Sequence, residues 1–220
     1  MPSSKRARVV SLTKTEKKTK EQKNALISKI RDALSNFESL YAFRVENMRN
    51  MLIKELRRDW NDSIFLFGRN KVIQHALGAT RESELAENVS QLARTLKGDC
   101  GLLFTNRPHD EVVAFFDNLE VPEYARSGHI STVEFIIPAG PLDQFSHTQE
   151  PFLRSLGVPT EMRNGVIYNR SEFVVASPGV QLTPEKANLL KQFGQMIASF
   201  KLNLYARWTA GEYSELKPSQ

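Results

Sequence analysis

The stretch from Phe200 to Trp208 constrains the fold most, because apolar and polar residues alternate there without exception. Phe200, Leu202, Leu204, Ala206 and Trp208 alternate with Lys201, Asn203, Tyr205 and Arg207. A period of two is the pattern of a β-strand that buries one face. We therefore predict a half-buried strand, which needs a sheet to pair with and a core to cover.

Helix-like and strand-like segments alternate along the first 121 residues. Apolar residues recur at spacings of three and four over four segments, at 21–37, 48–60, 69–77 and 85–96, and again after Pro108. Short apolar runs at 40–45, 63–67 and 101–105 predict strands, and we expect the second of these to be central in its sheet. This order predicts an α/β fold of the α+β sandwich kind, in which helices pack on a mixed sheet.

A cluster of proline and glycine residues between Pro122 and Pro141 indicates a domain boundary. The pattern up to Leu182 predicts a small β-rich unit, with a hairpin turn at Asn164-Gly165. Thr183-Pro184 then starts a helix. We predict a basic arm, an α/β domain in two pieces, a β-rich insertion domain and a tail, over residues 1–20, 21–121 plus 183–210, 122–182 and 211–220.

Composition excludes several classes of protein. A chain of 220 residues with 40% hydrophobic residues can bury an ordinary core. Its single cysteine cannot form a disulfide framework, and we expect a reducing, intracellular compartment. No apolar run approaches the roughly 20 residues of a membrane crossing.

The first 23 residues carry eight basic and two acidic residues, so the other 197 residues sum to a charge of −1. The basic residues include Lys5, Arg6, Arg8, Lys17 and Lys18. A basic arm on a near-neutral globule suits a polyanion, because neutralised phosphates release condensed counterions. A nuclear-import signal or a solvated tail has the same composition, and the charge alone does not separate these interpretations.

The turn Gly68-Arg69-Asn70-Lys71 is the best candidate for a phosphate site. It lies between a predicted buried strand and a predicted helix start, where free N–H groups and the helix dipole favour an anion. We expect Gly68 to allow close approach of a nucleic-acid backbone, and Arg69 and Lys71 to add charge. An ordinary basic loop has the same pattern.

A second basic cluster follows the first predicted strand. If the strands at 40–45 and 63–67 are neighbours, this cluster could line a groove continuous with the turn. Its members are Arg44, Arg49, Lys54, Arg57 and Arg58. Interleaved acids such as Glu46, Glu55 and Asp59 also fit a merely solvated helix face.

We find no pattern for catalysis or for a cofactor. The four histidines and the cysteine lack metal-site spacing, and no nucleotide-binding glycine motif is present. His109-Asp110-Glu111 is the one acid and base cluster, and its place after Pro108 favours a helix start. We predict a protein that is not an enzyme, with no metal and no cofactor.

Several motifs together resemble the ribosomal stalk-base protein family, and within it the members that assemble ribosomes. They include Ser4-Lys5-Arg6, Glu46 to Arg49, Leu66 to Gly78, Gly101 to Thr105, Phe152 to Met162 and Leu189 to Gly194. The resemblance implies a fold that docks on large-subunit ribosomal RNA (rRNA), with Gly68 to Lys71 as the RNA-contacting turn. The mature stalk protein carries a further C-terminal extension that this sequence lacks after its last strand, which favours the assembly factor.

The resemblance implies a ribosome biogenesis factor that binds rRNA in nuclear precursors of the large subunit and is later exchanged for the stalk protein. Its expected partners are that rRNA, the precursor subunit and neighbouring ribosomal proteins or assembly factors, with no membrane and no small-molecule substrate. The expected location is the nucleus and nucleolus, with shuttling to the cytoplasm left open. A constitutive ribosomal stalk-base protein and an RNA-turnover nuclease stay open as alternatives. The insertion domain has no charge run like the arm, so we expect it to face protein.

Overall fold

The computed structural model describes residues 20–78 and 83–216. The arm residues Lys5, Arg6, Arg8, Lys17 and Lys18 lie outside these ranges. The helices are α1 Lys20–Asn36, α2 Asn50–Asp59, α3 Asn70–Leu77, α4 Val89–Thr95, α5 His109–Asp117, α6 Glu150–Ser155 and α7 Pro184–Gln192. The strands are β1 Ser39–Glu46, β2 Ile64–Phe67, β3 Cys100–Thr105, β4 Val121–Glu123, β5 Phe135–Ile137, β6 Gly140–Pro141, β7 Thr160–Arg163, β8 Val166–Asn169, β9 Phe173–Ala176, β10 Ala198–Thr209 and β11 Glu212–Glu215.

The main sheet has the order β11-β10-β1-β3-β2, and β4 pairs with the start of β10. Each of these pairs is antiparallel, although we had expected a mixed sheet. The reason is that β1 and β2 run in the same direction but β3 lies between them. The prediction that 63–67 is a central strand is therefore wrong, because β2 is an edge strand. The expected combination of sheet, packed helices and β-rich insertion is confirmed.

The alternating segment forms β10, but a β-bulge divides it between two cores. Leu40 pairs with Trp208 and Ala42 with Ala206, whereas the next pair is Phe43 with Leu204. Tyr205 is therefore an extra residue, and it turns the buried side chains on either side of it to opposite faces of the sheet. The predicted alternation of buried and partly exposed residues is confirmed, but the buried side chains contribute to a core on each face of the sheet and not to one face alone.

Helices cover both faces of the sheet. α1, α3 and α4 pack on the face that carries Ala206 and Trp208, and α2 and α5 pack on the face that carries Leu204. Four apolar residues of the predicted helices and strands, Met48, Met51, Ile64 and Leu85, are exposed rather than buried. Ile53 takes the inward position on α2 instead. None of the described helices is long and apolar enough to cross a membrane.

The insertion segment forms a third core with its own small sheets. The Asn164-Gly165 turn joins β7 to β8 with positive φ at both residues, as predicted. Thr183 accepts a hydrogen bond from the backbone N–H of Lys186, so the predicted start of α7 is confirmed. The buried leucines of α7, Leu189 and Leu190, belong to this third core. We therefore propose that the insertion domain continues through α7, beyond the boundary at 182 that the sequence suggested.

Gly101 is a point of very close packing inside the sheet. A Cβ at this position would lie 2.6 Å from the Phe43 ring and 3.1 Å from the carbonyl oxygen of Leu66. We expect Gly101→Ala to lower the free energy of unfolding by about 1–3 kcal/mol, the cost of overpacking a tight core. Urea unfolding measures this change. Phe43→Leu in the same chain should recover part of it, and strictly additive losses would contradict this assignment of the clash.

His109 opens α5 and stacks on Tyr41, with its Nδ1 3.1 Å from the tyrosine oxygen. Burial lowers the pKa of His109, helped by the Arg207 charge, while Asp110 raises it. The unfolded chain therefore binds this proton at a higher pH than the folded chain does. The contribution of His109 to stability is full above about pH 6.5 and declines as the pH falls below that value. NMR titration should give a His109 pKa below 6.5, lowered further by Asp110→Asn; a pKa above 6.5 would contradict the stacked arrangement.

Candidate nucleic-acid interface

The predicted turn lies at one end of the main sheet, which we name the upper edge. β1 and β2 end there and β3 begins there, because β3 is antiparallel to both. The upper edge consists of residues 46–49, 67–71 and 97–100. The strand order thus places the turn beside the start of β3.

Gly68 has a structural reason to be glycine that differs from the one we expected. A Cβ on it would lie 2.6 Å from Cδ2 of Leu26, on α1. The close neighbour is therefore a helix of the same chain, and Gly68 lets α1 pack against the turn. Close approach of a nucleic-acid backbone is not needed to explain this glycine.

Asn70 fixes the turn to the start of β3 and is not a free ligand. Its side-chain amide donates to the carbonyl of Gly98 over 2.9 Å, and its oxygen lies 3.2 Å from Sγ of Cys100. Burial raises the pKa of the Cys100 thiol, so the thiol stays protonated and can donate to Asn70. Both polar ends of the amide are therefore occupied.

Arg69 and Lys71 are exposed, as the sequence predicted for phosphate-binding cations. Arg69 is the N-cap residue of α3, and its side chain makes no capping hydrogen bond. The backbone N–H of Val72 donates to the Arg69 carbonyl over 2.8 Å, which leaves the N–H groups of Asn70 and Lys71 as the unpaired donors of the helix start within the described residues. Lys23 on α1 lines the same shallow groove, of about 460 Å³. We name Lys23, Arg69 and Lys71 the turn surface.

The second basic cluster does not form the continuous groove that the sequence suggested. That groove required β1 and β2 to be neighbours, and β3 separates them. Arg44 still lies close to the turn, because it pairs with Cys100, whose thiol contacts Asn70. Its guanidinium carbon is 5.3 Å from the centre of the Tyr205 ring. Arg44 is thus a flanking cation beside the upper edge.

The basic residues of α2 lie on the opposite face of the sheet and have different surroundings. Arg49 pairs with Glu123 and donates to the carbonyl of Tyr124, which ties the start of α2 to the end of β4. Arg57 donates to the Phe65 carbonyl over 3.0 Å and lies over the Phe67 ring. It therefore provides a hydrogen-bond partner for a backbone carbonyl of the edge strand β2, next to the turn. Lys54 is exposed one turn earlier, and Arg58 lies near Asp59.

The arm joins the folded domain beside the turn surface. α1 begins at Lys20, one turn before Lys23, and Leu26 one turn later contacts Gly68. The predicted arm residues lie outside the described part of the chain. The described chain therefore begins next to Arg69 and Lys71.

A cleft at the upper edge contains residues that the sequence pattern did not single out. It has a volume of about 730 Å³ and runs between the turn and the first loop of the insertion domain. Arg126, Ser127, Gly128 and His129 form its far wall. No spacing could indicate this, since the loop follows the turn by more than 50 residues. We name this feature the edge cleft.

The described residues contain no group of three His, Cys, Asp or Glu side chains that could hold a metal ion. His109, the one catalytic candidate of the sequence, is stacked on Tyr41 at a site separate from the upper edge. The chemistry of the upper edge is that of cations, amides and the carboxylates of Glu46 and Asp99.

Comparison with known proteins agrees with this architecture. Residues 18–121 match the family model of ribosomal protein L10, and residues 125–194 match the model of the insertion domain found in the 60S ribosomal protein of this family. The second range includes α7, and the leucines of α7 also pack in the core of the insertion domain.

Relatives with similar sequences span nearly the whole chain. The ribosome assembly factor mrt4 of Dictyostelium discoideum is 41% identical over 97% of this chain and 96% of its own length. The protein of the same name in Schizosaccharomyces pombe is 41% identical over 93% and 90%. The large ribosomal subunit protein uL10 of Saccharomyces cerevisiae is 25% identical over 88% of this chain and 61% of its own length. The chain therefore belongs to the ribosomal protein L10 family and is closer in sequence to its mrt4 members than to this uL10.

Proposed function

We propose that this protein is a ribosome assembly factor that binds large-subunit rRNA at the stalk-base site of precursor particles. The observation that carries the proposal is the turn surface, where Lys23, Arg69 and Lys71 surround the open start of α3. Relatives that match along nearly the full chain are named ribosome assembly factors, which supports the same role here.

The proposed mechanism is occupancy of an RNA site. Phosphate contacts from the turn surface supply affinity, with Arg44 as a flanking cation and the arm as a further source of charge. Folded rRNA is recognised mainly by its shape, through phosphates, sugars and unstacked bases. Holding the site keeps the stalk protein out until exchange, and no bond is made or broken.

The proposed setting is the nucleus and nucleolus, where precursor large subunits are assembled. The nearest partners there are the rRNA and adjacent ribosomal proteins or assembly factors. Shuttling to the cytoplasm on a late precursor is compatible with this role. The basic arm serves either as an RNA contact or as an import signal, and both uses fit this setting.

Charge reversal at the turn tests the proposal directly. Arg69→Glu with Lys71→Glu should weaken binding to a large-subunit rRNA fragment at least a hundredfold, because two phosphate contacts become two repulsions. Filter binding or fluorescence anisotropy measures the affinity. Lys29→Glu with Arg31→Glu is the matched control, since it makes the same change on an exposed part of α1 beyond the turn. Equal affinities for the two folded variants would contradict the proposal.

Salt dependence measures the number of phosphates. With about five phosphates neutralised, affinity should fall by roughly two decades between 50 and 200 mM monovalent salt. The reversal of Arg69 and Lys71 should reduce the slope of log affinity against log salt by about two. A slope near zero in the wild-type protein would remove the electrostatic mechanism.

Cell fractionation separates an assembly factor from a constitutive ribosomal protein. The tagged protein should sediment with nuclear precursors of the large subunit and be absent from translating ribosomes. Its presence in polysomes would favour the constitutive alternative.

Multiple-turnover cleavage of rRNA that is lost in His109→Ala would instead favour a nuclease.

A further inference from the structure

A carboxylate stands within the surface that we propose binds phosphate. Asp99 immediately precedes β3 and lines the groove that contains Lys23, Arg69 and Lys71. Its side chain is exposed, and no ion pair or hydrogen bond holds it within the described residues. A free carboxylate repels phosphate, so purely electrostatic binding of RNA gives Asp99 no favourable role.

Asp99 also lines the edge cleft, whose chemistry differs from that of the turn surface. Val45, Met48 and Phe67 provide apolar wall, while Asn47, Arg126 and His129 provide polar groups. Nε2 of His129 is shielded from solvent and has no hydrogen-bond partner among the described residues. Apolar walls with a few convergent polar groups are typical of a site for a small organic ring system.

A nucleobase fits this combination better than a phosphate does. Proteins read single-stranded RNA by taking up unstacked bases, stacking on their faces and hydrogen-bonding to their edges. The cleft volume of about 730 Å³ lies within the range of small-molecule sites. Phe67 and His129 offer rings for stacking, and Asp99 offers an acceptor for the donors of a base edge.

The cleft and the turn surface are continuous. Gly68, Asn70, Gly98 and Asp99 line both the groove of the turn surface and the edge cleft. A nucleotide whose phosphate lies on Arg69 or Lys71 could thus direct its base past these residues into the cleft. One nucleotide would then contact both features.

We propose that the edge cleft binds one unstacked guanine of the rRNA, with its Watson–Crick edge facing Asp99. Guanine presents two adjacent donors on that edge, N1–H and the N2 amino group, and a carboxylate can accept from both in parallel. Adenine, cytosine and uracil each present a single donor group next to an acceptor. This inference rests on the proposed function, because it names the RNA feature that the same site selects.

The substitution Asp99→Asn separates this role from simple electrostatics, because the two predict opposite signs. Removing a negative charge beside the turn surface should strengthen binding if only phosphates are contacted. Losing the paired acceptor of a guanine should weaken binding to the rRNA fragment about tenfold. Asp143→Asn makes the same change at an exposed position of the insertion domain and should leave affinity unchanged. An affinity of Asp99→Asn equal to or above that of the wild type overturns the proposal.

Chemical probing of the complex identifies the base. Kethoxal modifies guanine at N1 and N2, so the full-length wild-type protein should protect one unpaired guanine of the bound fragment. Asp99→Asn should expose that guanine while the salt slope stays the same, because the phosphate contacts remain. Binding with a normal salt slope but no guanine whose protection depends on Asp99 overturns this inference alone. Failure of the wild-type protein to bind the fragment overturns the proposed function as well.

Discussion

The side-chain amide of Asn70 holds the upper edge together. It bridges the start of α3 to the start of β3 through the Gly98 carbonyl and the Cys100 thiol. Gln74 adds a second link one turn later, because its amide donates to the Leu96 carbonyl over 3.3 Å. The exposed cations on either side of Asn70 keep a defined spacing because Asn70 itself faces inward. The residue thus supports the interface without being free to contact RNA.

Sequence patterns predicted the helices and strands well. They predicted poorly which strands lie next to each other in the sheet. The helix and strand over 21–45, the Asn164-Gly165 hairpin and the Thr183 cap follow from local periodicity and turn chemistry, which depend on adjacent residues alone. The order β1-β3-β2 depends on contacts between residues far apart in the chain, so no local sequence pattern indicates it. The bulge at Tyr205 is hidden for a related reason. Even-numbered residues stay buried on both sides of it, so the alternation continues while the face changes.

Contacts between distant residues also explain why the structure changes the interpretation of some candidate site residues and not of others. Arg69 and Lys71 are as exposed as their place after a strand suggested. The partners of Arg49 and Arg57, by contrast, are Glu123 and the Phe65 carbonyl, and only the fold brings them together. Charge counts treat all five basic residues of that cluster alike, whereas the structure gives Arg49 and Arg57 partners within the chain and leaves Lys54 exposed. The far wall of the edge cleft was not predictable, because it comes from a loop of the insertion domain.

Three cations around a helix start are a common arrangement. Positive charge alone binds any RNA, because every RNA has a high density of phosphate charge. Selection of one site among many in a precursor particle needs a contact that ordinary helical RNA cannot make. A cleft that accepts an unstacked base provides such a contact, since a base within a regular duplex cannot enter it. The insertion domain supplies one wall of that cleft, and the ion pair of Arg49 with Glu123 fixes the strand that leads into this wall to the start of α2. In the proposed binding mode the insertion domain thus completes the part of the interface in which selectivity arises.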